Sequence, residues 1–130
     1  MNSKDLDILR HILMYCKQIK ETSNEFDNDK KRFKESVTFR NAVCLCILQI
    51  GELVTILSDE FKNNNSTVQW REIKLLRNIV AHRYGKIDYD IVWDICLNDI
   101  PEMMDFCAKI IDDDAVEELG LGEEDKIVTA

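Results

Sequence analysis

The chain has 130 residues, 45% of them apolar, a single proline, four glycines and a formal net charge of −8. That is enough apolar material for one domain with a real core, and punctuation this sparse points to helices. Five cysteines, odd in number and without paired spacing, exclude a disulfide framework or a cysteine-based zinc site.

Targeting and membrane segments are absent from the pattern. Lys4, Asp5, Asp7 and Arg10 interrupt any signal sequence, and the longest apolar run, Ala42 to Ile50, is broken by Gln49 and Glu52. A cytoplasmic protein without a membrane partner is expected.

In chain order, a first helix is predicted from Ser3, its N-cap, to Ser23, with Leu6, Leu9, Ile12, Leu13, Cys16 and Ile19 at helical spacing. The charged stretch from Asn24 to Lys34 reads as a turn. A second, central helix is predicted from about Ser36 to Glu60, its core face marked by Val43, Ile47, Ile50, Val54 and Leu57. Gly51 inside it costs about 1 kcal/mol relative to Ala, which suggests a close helix crossing at that point. Asn63 to Thr67 reads as a loop, and Trp70 opens a third helix with Ile73, Leu76, Ile79 and Val80 facing inward and Gly85 as its C-cap. A fourth helix begins after Asp88, and Pro101 kinks it or splits it before Met103. The fold class is all-α, an antiparallel bundle of four to five helices over residues 1–112.

Residues 113–130 read as an acidic, flexible tail. Eight of the 25 acids fall between Asp112 and Asp125, whereas the first 111 residues hold 17 acids and 16 bases. The body is therefore nearly neutral, and bulk charge decides nothing about a nucleic-acid partner. Cys44 and Cys46 lie about 200° apart on a helix and cannot share a metal. All five cysteines read as reduced, mostly buried thiols.

Chemistry concentrates in Arg77-Asn78-Ile79-Val80-Ala81-His82-Arg83-Tyr84. A guanidinium matches two phosphate oxygens with parallel hydrogen bonds and stays charged. An imidazole takes or gives a proton near neutral pH. Together they are the minimum set for cutting RNA by its own 2′-hydroxyl without a metal or other cofactor. On one straight helix, however, Arg77 and His82 stand about 140° apart. They meet at one phosphate only if the helix ends early or if two chains each contribute, and the second case predicts a two-fold homodimer with a composite cleft.

This motif, together with Ile50-Gly51-Glu52, Trp70, Asp88, Trp93 and Asp99-Ile100-Pro101, resembles the HEPN superfamily, and within it the HepT-like toxins of the HepT–MntA type VII toxin–antitoxin systems. The likeness covers about residues 5–112. It implies a metal-independent endoribonuclease working as a homodimer, with RNA rather than DNA as substrate. Arg77 would bind and polarise the scissile phosphate, Asn78 would support it, and His82 would supply acid–base chemistry, leaving a 2′,3′-cyclic phosphate and a 5′-hydroxyl. Tyr84 would be the residue to which an MntA-like nucleotidyltransferase antitoxin transfers AMP. The family's polar second-helix position falls on Glu52, with no role assigned.

Other readings stand beside this one. The chain fits a non-catalytic HEPN-like module that docks a small nucleotidyltransferase, or a structural helical dimer. Arg77 in particular has a plain alternative as an ion-pair partner of Glu52 or of an acid on the fourth helix. Trp70, Trp93 and His11 read as structural.

Overall fold

A computed structural model describes residues 1–83 and 86–120. Four long helices carry the bundle: α1 (Ser3–Glu25), α3 (Val37–Ile56), α5 (Trp70–Arg83) and α6 (Tyr89–Glu118). Two short ones, α2 (Lys30–Glu35) and α4 (Asp59–Asn64), bridge them. No strand occurs among the described residues. Helix α3 is the hub, packed by α1 on one side and by α5 on the other, while α6 lies on α1 and α2. By length and composition alone α3 would pass for a membrane span. Here its Phe39, Val43, Cys44, Ile47, Ile50 and Val54 form the centre of the core instead.

Caps set most of the boundaries. Asn2, one residue ahead of the predicted Ser3, caps α1 by accepting from Lys4 N–H at 2.8 Å. Asp88 caps α6, as predicted, and Ser36, expected only as the start of the second helix, proves to be the N-cap of α3. The charged Asn24–Lys34 stretch is not only a turn. Asp27 and Asn28 adopt left-handed backbone angles (φ 59° and 52°), which Asp and Asn tolerate better than most residues. Asp29 then accepts from Lys31 N–H and Arg32 N–H and starts α2. That short helix is anchored by Phe33, which is fully buried among Phe39, Tyr89 and Trp93.

The central helix stops at Ile56 rather than running to Glu60. Asp5 on α1, 3% exposed, accepts from Ser58 N–H at 2.9 Å and from Ser58 Oγ at 2.6 Å. The same Ser58 Oγ accepts from Phe61 N–H at 3.1 Å, so one hydroxyl joins a buried carboxylate to the cap of α4. Helix α4 then takes in Asn63 and Asn64, which the asparagine-rich sequence suggested as loop. Phe61 holds it in place within a ring cluster shared with Trp70 and Phe106.

Pro101 does not split the last helix. It sits on the exposed face of α6, inside an unbroken helix. That helix also continues through Asp112, Asp113, Asp114, Glu117 and Glu118, residues whose charge suggested a tail. The rest of the acidic segment, 121–130, lies outside the described residues.

The predicted close crossing at Gly51 is present and very tight. A Cβ placed on Gly51 would overlap Arg77 Cβ and lie 2.6 Å from Arg77 Cγ. Both atoms are near the backbone of α5, so relief requires moving the helix. Gly51→Ala should therefore destabilise the protein by about 2 kcal/mol, although an alanine in an open helix position would stabilise it by about 1 kcal/mol. Thermal unfolding checks the sign. Asp5→Ala should cost about 2–3 kcal/mol by the same assay, because it leaves the Ser58 donors buried without an acceptor.

Candidate active site

Helix α5 rests its Ile73, Leu76 and Val80 on α3, and this seating fixes where the remaining side chains point. Arg77 lies at the edge of that buried face, its side chain 28% exposed. Its aliphatic stem crosses Gly51, and its guanidinium reaches the next residue along α3. Nε donates to Glu52 Oε1 at 2.7 Å, and Nη2 donates to the same oxygen in a shorter contact. Nη1 donates to Asn78 Oδ1 at 2.8 Å. Glu52 is more open, with 46% of its side chain exposed.

The structure thus brings together Arg77, Asn78 and Glu52, while His82 lies one turn beyond Asn78 and on a different face of α5 from Arg77. His82 is exposed on α5, which runs unbroken through Arg83. The helix does not end early, so Arg77 and His82 of one chain stand about 140° apart around its axis. Leu75 and Ile79, 50% and 42% exposed, share the quadrant of α5 that carries His82. Tyr84 and the predicted cap Gly85 lie outside the described residues.

Glu52 is the site residue whose part the sequence left open. Twenty-five positions separate it from Arg77, and no spacing rule links residues that far apart. Two signals pointed to it: its neighbour Gly51, a helix-interior glycine that marks where another element approaches, and the plain reading of Arg77 as an ion-pair partner of Glu52, a pair that the structure contains.

Elsewhere the candidate groups are structural. His11 Nδ1 donates to the Asp7 carbonyl one turn earlier, at 2.8 Å. Trp93 is buried between Phe33 and Phe39, and Trp70 packs on Phe61 and Phe106 while its Nε1–H bonds the Asn65 carbonyl. All five cysteines are free thiols. Burial pushes Cys16, Cys96 and Cys107 up to about 12 and Cys44 to about 11, so none of them is a nucleophile at neutral pH. Among the described residues no three His, Cys, Asp or Glu side chains are grouped to hold a metal ion.

One groove among the described residues lies away from the motif. Of about 500 Å³, it runs between α3, α5 and α6, floored by Ile47, Ile73, Leu76 and Met103 and edged by Glu72, Asp99 and Glu102. Its carboxylates would repel a phosphodiester, which directs attention to the exposed side of Arg77 instead.

Residues 12–110 match the model of a family described as ribonuclease HepT-like. "Putative RNase MJ1380" of Methanocaldococcus jannaschii is 30% identical over 99 residues, which cover 72% of this chain and 91% of the relative. "Putative RNase MJ0127" of the same organism is 36% identical over 92 residues, covering 71% and 70%. "Probable ribonuclease HepT" of Thermococcus cleftensis is 29% identical over 62 residues, covering 48% and 56%. No solved structure matches the chain significantly.

The thiols give this region a pH signature. Their folded values lie above the ordinary 9.0, so the unfolded chain loses protons first as pH rises. Their stabilising contribution is complete below pH 9 and is lost between 9 and about 12. Thiolate ultraviolet absorbance should therefore appear together with unfolding in an alkaline titration, not before it.

Proposed function

The chain belongs to the HepT-like ribonuclease family, and on that premise we propose that it is a metal-independent endoribonuclease toxin in which Arg77 and His82 act on one RNA phosphodiester across a two-fold dimer cleft. The observation that carries this reading is Arg77 itself. Its guanidinium is fixed by Glu52 and Asn78 and still open to solvent, on the same helix as an exposed His82.

His82 takes the proton of the RNA 2′-hydroxyl, and the 2′-oxygen attacks phosphorus as the bond to the 5′-oxygen breaks. That oxygen leaves with a proton returned by imidazolium. The products are a 2′,3′-cyclic phosphate and a 5′-hydroxyl. Arg77 donates to the non-bridging phosphate oxygens, where charge accumulates as the new bond forms. Asn78 holds Nη1. No metal or cofactor takes part in this reading.

Two features support a second copy. The unbroken α5 leaves Arg77 and His82 of one chain on different faces, so a second chain is needed to complete the pair. The exposed Leu75 and Ile79 beside His82 form an apolar stripe that such a partner would cover. Regulation by an MntA-like nucleotidyltransferase antitoxin follows from the same family reading. AMP on Tyr84, two residues beyond His82, would place bulk and negative charge where RNA must approach. The setting is cytoplasmic.

Incubation with cellular RNA in EDTA tests the activity. The parental protein should cut and leave cyclic phosphate ends, while Arg77→Ala and His82→Ala should each lose at least about a hundredfold in rate with the fold retained. Parental rates in both variants would remove the motif from the mechanism. Absence of cleavage by unmodified protein of confirmed intact mass would favour a non-catalytic docking module. Tyr84→Phe should keep cleavage and escape silencing by the antitoxin, read as toxicity during co-expression.

A further inference from the structure

We propose that Gly51 and Glu52 form a seat for the Arg77 guanidinium, with Glu52 a positioning residue that aims Arg77 at the scissile phosphate. The proposal rests on the ribonuclease reading above and takes it further: the Glu52 contact that fixes Arg77 sets the rate of cleavage and not merely the resting place of the side chain.

The argument begins with the number of donors. A guanidinium carries five N–H groups in one plane: one on Nε and two on each terminal nitrogen. Nε and Nη2 spend one each on Glu52 Oε1, and Nη1 spends one on Asn78 Oδ1. One N–H remains on each of Nη1 and Nη2. Adjacent terminal nitrogens with one free donor each are what two oxygens of a phosphate require. Glu52 therefore occupies the flank of the guanidinium and leaves its end available.

The placement depends on Gly51. Without a side chain at this point of α3, the Arg77 stem lies directly across the helix, close enough that even a Cβ would collide with it. Glu52, the following residue, is then carried to the flank of that stem. A longer gap between α3 and α5 would separate carboxylate and guanidinium, and the flexible arginine would sample many orientations.

A purely structural ion pair explains this arrangement less well. With 28% and 46% of the two side chains exposed, the pair is solvent-screened and contributes weakly to stability. A carboxylate beside a phosphate-binding arginine also opposes substrate binding by repulsion. Both considerations point to geometry, an effect realised in the rate rather than in folding.

Steady-state cleavage of a short RNA by Glu52→Gln, Glu52→Ala and the exchanged pair Glu52→Arg/Arg77→Glu tests the seat. Gln keeps one acceptor oxygen, so kcat should fall about tenfold, and with Ala about a hundredfold, while KM stays level or drops because an anion has been removed. The exchanged pair should recover the parental melting temperature without recovering cleavage. Parental or higher kcat in both single variants would overturn the proposal, showing Glu52 to be a bystander or a competitor for Arg77. The NMR resonance of Arg77 Nε–H gives a readout that needs no catalysis. It should be protected from exchange in the parent and lose that protection in Glu52→Ala, with Glu52→Gln intermediate. An unchanged resonance in both variants would overturn the seat. If the parent cuts no RNA yet its Nε–H behaves as described, the seat stands and the ribonuclease reading fails.

Discussion

The contact on which this molecule depends is the crossing of α3 and α5 at Gly51. A glycine in the middle of a twenty-residue helix loosens that helix by roughly 1 kcal/mol compared with alanine. In exchange α5 comes to rest with the stem of Arg77 flat against the α3 backbone. The core contacts of Ile73, Leu76 and Val80 form at that spacing, and so does the meeting of Arg77 with Glu52. Close approach of two backbones thus determines both the packing of the outer helix and the orientation of Arg77.

Around this crossing the bundle separates rigid parts from open ones. Two aromatic clusters clamp the ends: Phe26, Phe33, Phe39, Tyr89 and Trp93 join α2, α3 and the start of α6, while Phe61, Trp70 and Phe106 join α4, α5 and the second half of α6. Between them α5 packs mainly on α3, leaving the apolar groove toward α6 and the Leu75–Ile79 stripe uncovered. Helix α5 is thus seated on one side and open on the other. The thiols belong to the rigid part, where burial keeps them protonated and inert.

Electrostatics follows the same division. Asp5, the one deeply buried carboxylate among the described residues, is satisfied by the Ser58 amide and hydroxyl, and so fixes the break between α3 and α4. The Arg77–Glu52 pair is half open to water and holds little of the stability. Lys30 and Lys34 both reach Asp90 on the surface, tying α2 to the start of α6 and holding the Asp90 carboxyl below its ordinary range. Such exposed pairs orient elements more than they stabilise them.

Much of this was legible in the residues alone. Helical periodicity gave the four long helices, since 3.6-residue spacing of apolar side chains is a local property. Ser36 and Asp88 marked helix starts because capping is equally local. Gly51 announced a crossing, and the Arg77–His82 motif carried the resemblance to the family to which the chain belongs. The short helices α2 and α4 escaped notice because their stability comes from Phe33 and Phe61 buried in distant clusters, not from their own composition. The end of α3 at Ile56 was equally hidden, being set by Asp5 on another helix. The sequence by itself thus determined the four long helices and the family to which the chain belongs. Only the tertiary structure decided that Glu52 flanks Arg77 and that one chain keeps Arg77 and His82 on separate faces, because both depend on the distance and angle between helices that no local pattern encodes.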